Sequence, residues 1–213
     1  MPATIDFEKR IWSDRPGALV AGLDEAGRGP LAGPVSVGLV VFPATLFASG
    51  IPAALQGLSD SKEHKTNERE SYAAVIRHLA LFTTVVHLPA RQVDQLNING
   101  AIQKAMTHAL QRAERSALHI DHVWIDGNYR FHELYACFPA TRFESIVKGD
   151  QKILHVAAAS ILAKTARDER LRRYDRLFPG YGLAQHKGYG TRAHRSAIQT
   201  LGPTPLHRRS FRW

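Results

Sequence analysis

A chain of 213 residues with 44% apolar side chains can bury the core of one ordinary domain, or of one domain with a small appendage. Its single cysteine, Cys137, excludes an internal disulfide and a cysteine-based zinc cluster and reads as a small core residue. The formal charge of +9 is uneven: residues 1–150 hold 15 Lys and Arg against 16 Asp and Glu, and residues 151–213 hold 13 against 3. No apolar run reaches the length of about 18 residues that a membrane helix needs, and MPATIDFEKR is not a signal peptide. A cytoplasmic protein is therefore expected.

The first predicted strand, 18–24, is an apolar run from Ala18 to Leu23 that ends in Asp24 and Glu25. It passes into a segment dense in glycine and proline, Ala26-Gly27-Arg28-Gly29-Pro30-Leu31-Ala32-Gly33-Pro34. Unpaired carboxylates at the end of a core strand are costly to bury, so they suggest a metal, although a solvated acidic pair is the structural alternative. On a regular strand Asp24 and Glu25 point to opposite faces. Both reach one ion only through a backbone irregularity, which Gly27 and Gly29 permit; Arg28 between them offers charge to a phosphate.

A second strand, 34–42, is predicted to form a hairpin with the first. A helix over 66–80 opened by Thr66 as cap, a strand over 81–88 and a helix over 98–116 follow. Strands over 121–126 and 142–147, a long helix over 152–177, a loop over 178–190 and a helix over 192–201 complete the pattern. Strands alternating with helices argue for an α/β sheet with helices packed on its faces.

Asp126 ends the apolar run Val123-Trp124-Ile125 and precedes Gly127, the same arrangement as at Asp24. Asp150 follows Ile146-Val147-Lys148-Gly149 at the start of the long helix, where a simple N-cap is the structural alternative. Carboxylates at strand ends can converge on one edge of a sheet. Hard oxygen ligands select Mg²⁺ or Mn²⁺ over zinc, and a pair of such ions can hold the attacking water and leaving 3′ oxygen of a displacement at phosphorus.

The alanine-rich stretch 156–166 reads as close helix packing. Ser160, Lys164 and Arg167, at i, i+4 and i+7, form a polar stripe that suits either surface ion pairs or phosphate contact. Among 11 histidines no metal-ligand spacing occurs, and His186 reads as a hydrogen-bonded loop residue. Of the tyrosines in the basic segment, only Tyr189, between glycines and near Lys187, is a candidate for stacking on sugar or base. No nucleotide-binding phosphate loop and no esterase elbow is present. An acidic centre beside a basic segment suits an enzyme acting on a polyanion.

The run from Asp24 to Pro34 closely resembles the N-terminal signature of ribonuclease HII. Further motifs follow in that family's order: Asp60-Ser61-Lys62, Asn97-Ile98, Asp126-Gly127-Asn128, Lys148-Gly149-Asp150, the run Ala157 to Lys164, His186 to Thr191, and His207-Arg208-Arg209-Ser210-Phe211. The resemblance spans residues 18–211. It implies the ribonuclease H fold, a mixed five-stranded sheet flanked by helices, with a small helical C-terminal appendage. The expected division is an N-terminal extension (1–17), a catalytic domain (18–180) and a substrate-binding appendage with a basic tail (181–213).

The activity implied is a metal-dependent endoribonuclease that cuts the RNA strand of RNA–DNA hybrids. It would also nick duplex DNA 5′ to embedded ribonucleotides, leaving 3′-hydroxyl and 5′-phosphate ends, as a monomer in ribonucleotide removal. By resemblance, Asp24, Glu25, Asp126 and Asp150 are the catalytic set holding two Mn²⁺ or Mg²⁺ ions. Gly27, Arg28 and Gly29 would sense the 2′-hydroxyl, the group that separates RNA from DNA. Tyr189 would pack on the deoxyribose at the RNA-to-DNA junction, with Lys62, Ser160 and Lys164 as further substrate contacts. One departure is Glu-His-Lys-Thr after Lys62, which lacks the family's usual leucine and bears on local packing. The rivals are a ribonuclease HIII-like enzyme, which usually carries an extra N-terminal domain, and a non-catalytic nucleic-acid-binding module of the same fold, which should have lost a strand-end carboxylate.

Overall fold

The computed structural model describes residues 2–129 and 132–212. The predicted hairpin forms: β1 (Val20–Ala26) and β2 (Val35–Val41) pair antiparallel, from Gly22 opposite Val40 to Ala26 opposite Ser36. β3 (Phe82–Leu88) adds antiparallel to β2, while β4 (His122–Asp126) and then β5 (Arg142–Ile146) add parallel beyond β1. The sheet order is β3-β2-β1-β4-β5, the mixed five-stranded sheet expected. The helices are α1 (Asp6–Asp14), α2 (Thr66–Leu79), α3 (Ala90–Arg115), α4 (His132–Cys137), α5 (Leu154–Leu177), α6 (Leu183–His186) and α7 (Arg192–Leu201).

Both faces of the central strands are covered, which is why every residue of β2, Ser36 included, is buried. On one face Ala21, Leu23, Val35, Val37 and Leu39 meet the small side chains of α3, Ala101, Ala105 and Ala109 among them. On the other face lies α5. A Cβ on Gly22 would stand 2.2 Å from the carbonyl carbon of His155, and one on Gly38 would stand 2.4 Å from the carbonyl oxygen of Ala159. The helix therefore rests on the backbone of β1 and β2, the contact its alanine run was expected to make.

Several expectations need correction. α1, unpredicted, is docked through Glu8, which is fully buried and accepts from His155 Nδ1 at 2.9 Å, and through Trp12 stacked on Phe47 at 5.6 Å. α3 starts at Ala90, not 98, because Pro89 opens an extra segment that breaks at Asn97 (φ 56°, ψ 174°) before the helix resumes. There the Asn97 carboxamide oxygen accepts from the N–H groups of Asn99 and Gly100, capping the second segment. Lys65 rather than Thr66 is the cap of α2: Glu68 accepts from the Lys65 N–H, while the Thr66 hydroxyl accepts from Arg69. Cys137 is exposed, not core, since α4 is a short surface helix that buries only Leu134. Asp150 lies in a one-turn 3-10 helix, Gly149–Gln151, and the cap of α5 is Ile153.

The glycine contacts generate a stability prediction. Gly38→Ala places a methyl group against a helix carbonyl that cannot move alone, and overpacking of this kind costs about 1–3 kcal/mol or more. A Tm fall of at least several degrees in a thermal melt is expected, against little change for Gly29→Ala, where the space beside the Cα is open and the backbone is not left-handed.

Candidate active site

Three strand ends meet at one edge of the sheet. Asp24 is on β1, Asp126 closes β4, and Asp150 sits in the turn after β5. Each offers a carboxylate oxygen within 4.8 Å of the other two. Asp126 is aimed by the backbone N–H of Gly149, donating to Oδ1 at 2.7 Å, and Asp24 accepts from the backbone N–H of Glu25 at 2.7 Å. Burial holds the Asp24 carboxyl well above the usual carboxylate range, and the charges of Glu25, Asp126 and Asp150 add to this. Asp150 is pushed up to about 7, chiefly by burial and then by Asp126 and Asp60, with Lys62 opposing. Crowded, buried carboxylates of this kind call for a compensating cation.

β1 stays regular through Ala26, so Glu25 points away from Asp24, to the opposite face. It lines the same cleft but is not part of the three-carboxylate group. Its Oε1 lies 3.5 Å from Arg28, and its Oε2 is buried without a hydrogen-bond partner among the described residues. Burial raises the Glu25 carboxyl, with Arg28 opposing and Asp126 reinforcing. Arg28 also donates to the Asn99 side chain at 2.7 Å and stacks over the Tyr129 ring at 4.7 Å.

The turn after β1 is held from inside. Arg208 donates to the carbonyls of Gly27 (2.6 Å), Arg28 (2.8 Å) and Gly33 (3.0 Å), and Arg167 to those of Pro34 (2.9 Å), Ala32 (3.2 Å) and Lys187 (3.1 Å). Gly27 has φ 96°, and a Cβ there would meet the Arg167 guanidinium at 2.1 Å, so glycine is required; beside Gly29 the space is open.

A cleft of about 620 Å³ runs along this edge. All eleven sequence-predicted residues line it: Asp24, Glu25, Asp126, Asp150, Gly27, Arg28, Gly29, Lys62, Ser160, Lys164 and Tyr189. The ribonuclease HII family matches residues 21–213. Curated ribonuclease HII proteins are 43% identical over 209 residues in Pelodictyon phaeoclathratiforme (97% of this chain, 95% of that one) and 46% identical over 208 residues in Moorella thermoacetica (97% and 92%). The chain belongs to the ribonuclease HII family.

Solved structures extend the likeness of fold. One is the PCNA:RNase HII complex of Archaeoglobus fulgidus (TM-score 0.74, 24% identity, 92% of this chain and 96% of that one). Another is Bst-RNase HIII in complex with Mn²⁺ (TM-score 0.68, 20% identity, 93% and 69%).

In this family member the wall facing the acidic group is cationic, and part of it escaped the sequence reading. Arg69 and Lys164 both bind Asp168, at 3.3 and 2.7 Å, and Lys187 lies in the same wall. The stripe on α5 is Ser160, Lys164 and Asp168, at i, i+4 and i+8. Arg167, expected in that stripe, is instead buried beneath the glycine turn, neither a surface ion pair nor a cleft residue. Ser61 and Tyr129 were also missed; Ser61, inside the Asp60-Ser61-Lys62 motif, and Tyr129, just beyond Asp126-Gly127-Asn128, carried a signal, whereas Arg69 on a charged helix face carried none. His186 is hydrogen-bonded as expected, 2.7 Å from the Tyr181 carbonyl, but it closes the short helix α6 inside the span 178–190 that was expected to be all loop.

The crowding has a measurable consequence. A carboxyl raised in the folded state holds its proton more tightly than in the unfolded chain, so its contribution is present at acid pH and lost as pH rises. For Asp150 the window is from about 4 to about 7. In the presence of a chelator, Asp24→Asn or Asp150→Asn should raise Tm at pH 7.5, by about 2–4 °C per kcal/mol relieved. The gain should shrink towards pH 4 and shrink on adding divalent ion.

Proposed function

We propose that this protein is an endoribonuclease that cuts the RNA strand of RNA–DNA hybrids and nicks duplex DNA 5′ to embedded ribonucleotides, leaving 3′-hydroxyl and 5′-phosphate ends. The observation that carries this reading is the meeting of the Asp24, Asp126 and Asp150 carboxylates beside the glycine turn, in one cleft with a cationic wall. A non-catalytic module of this fold is disfavoured, since every strand-end carboxylate is retained.

The donor set suits a hard divalent cation: oxygen ligands only, buried, mutually repelling, with one unpartnered carboxylate oxygen on Glu25. Asp24, Asp126 and Asp150, with Glu25 from the other face, would hold two Mg²⁺ or Mn²⁺ ions. Bound there, such ions supply Lewis acidity and a water activated at neutral pH. The protein's own groups do the rest. Peptide groups of the turn at Gly27, Arg28 and Gly29 approach the ribose closely enough to meet its 2′-hydroxyl. Lys62, Lys164 and Ser160 take the phosphates flanking the scissile bond. The charges of Asp60, Asp150 and Asp24 outweigh burial and keep the Lys62 ammonium raised, hence cationic. Tyr189, 46% exposed and lining the cleft, offers its ring to the adjacent deoxyribose. Residues 181–213 serve as a substrate-binding appendage. No described helix is long and apolar enough to cross a membrane.

Asp126→Asn should abolish cleavage of a duplex with one embedded ribonucleotide while the variant still binds it in a gel-shift assay, and a chelator should do the same to the wild type. Cleavage surviving in either would sink the metal-centre assignment. Lys164→Ala should lower the slope of log affinity against log salt by about one. Tyr189→Phe should nick normally, whereas Tyr189→Ala should lose about 1–3 kcal/mol in binding or rate with Tm nearly unchanged, since an exposed ring supports little packing; a destabilised Ala variant with normal nicking would return Tyr189 to a packing role.

A further inference from the structure

The motif at 207–211 has no part in the chemistry above, yet its first two residues grip both sides of the proposed ribonucleotide site. Arg208, fully buried, fixes the Gly27 and Arg28 carbonyls through its guanidinium. Its own N–H donates to the Leu31 carbonyl at 2.8 Å, so the motif runs as a short bridge along the turn, with Ala32 opposite His207.

His207 reaches the other side. The Thr204 N–H donates to His207 Nδ1 at 2.9 Å, which leaves Nε2 as the protonated nitrogen. His207 Nε2 therefore donates to His194 Nε2 at 3.2 Å, and His194 Nδ1 donates to the Tyr189 carbonyl at 2.9 Å. Both rings are buried, and His186 stacks on His194 at 4.3 Å. Neutral tautomers satisfy every nitrogen in this chain of bonds. None of the three side chains is among the residues that line the cleft.

We infer that His207 and Arg208, with His194, are positioning residues that set the spacing between the Gly27–Gly29 turn and Tyr189, and so determine how strictly the enzyme demands a ribonucleotide. This rests on the functional reading of the preceding section. A fork with three carbonyl partners cannot be replaced by an ammonium, which is a point charge with no planar geometry. A misplacement of about 1 Å at such a site costs about a hundredfold in rate. The two prongs act on different features of the substrate: Arg208 on the group that meets the 2′-hydroxyl, His207 and His194 on the ring that meets the next sugar.

The test uses the full chain and three variants, Arg208→Lys, His194→Ala and Asp94→Asn. Asp94 lies outside the cleft and accepts from the N–H groups of Arg209 and Ser210 at 3.0 and 2.9 Å, so its loss loosens the motif without cutting into the core. Single-turnover rates are measured on a duplex with one ribonucleotide, the same duplex with a 2′-fluoro nucleotide there, and a uniform RNA–DNA hybrid. Arg208→Lys should cut the preference for ribose over 2′-fluoro by about tenfold, and His194→Ala should lower single-ribonucleotide nicking relative to the hybrid by about tenfold. Asp94→Asn should move both ratios the same way by less. Partial unfolding lowers all rates together and leaves the ratios alone. Variants that keep wild-type ratios overturn the inference, and if Arg208→Lys does not fold, unchanged ratios in Asp94→Asn do so. Wild type that fails to nick the single-ribonucleotide duplex strikes the functional reading itself.

Discussion

Two buried guanidinium groups hold this active site together. The chain between β1 and β2 must leave the sheet, present peptide groups to a cleft and return, and it does so with carbonyls that point inward. Such carbonyls are costly to bury without donors. Arg167 and Arg208 supply donors for five carbonyls of this stretch, from Gly27 to Pro34. Burying two like charges side by side has its own cost: Arg208 is pushed down to about 9, by burial first and by Arg167 second. Because Arg167 comes from α5 and Arg208 from the C-terminal tail, the turn, the long helix and the chain end form one block.

The same pairing changes the meaning of the charge asymmetry. The basic C-terminal segment suggests a surface for a polyanion, yet two of its arginines are spent inside on peptide carbonyls. The cations that face the cleft come from several places: Lys62 from a loop, Arg69 from α2, Lys164 from α5 and Lys187 from the loop after α6. Asp168 sits among them and binds both Arg69 and Lys164. It spaces the cations and limits their mutual repulsion. Across the cleft the carboxylates repel one another in the same way, and both walls are strained electrostatically in directions that a divalent ion and a phosphodiester backbone would relieve.

The placement of α5 explains how the two walls keep their distance. Glycine at 22 and 38 lets the helix lie on bare strand backbone, and Ser160, one turn beyond His155 and next to Ala159, then falls beside Asp24. A larger residue at either glycine would lift the helix and carry Ser160, Lys164 and Arg167 with it. Fold and site thus share one set of contacts.

Much was legible in the sequence because it is written in local patterns. Period-two and apolar runs marked all five strands, turn residues marked their ends, and Asp24, Asp126 and Asp150 stood out as acids where apolar runs stop. The motifs in order then identified the family. What local pattern does not encode is which face a side chain takes once a helix is docked. Arg167 and Asp168 are adjacent in sequence, but the rotation of α5 on the sheet buries the first under the turn and turns the second to the cleft. The same holds for α1, whose sequence shows only a short, charged segment until Glu8 finds His155, 147 residues away. Glu25 is the instructive case: strand alternation already said that it could not share a face with Asp24, and only the regular register through Ala26 decided that no bulge would override it. Composition and spacing determine which chemistry is available; the long-range packing of α5 and the C-terminal arginine determine which residues are allowed to perform it, because those contacts join parts of the chain that carry no local signal of one another.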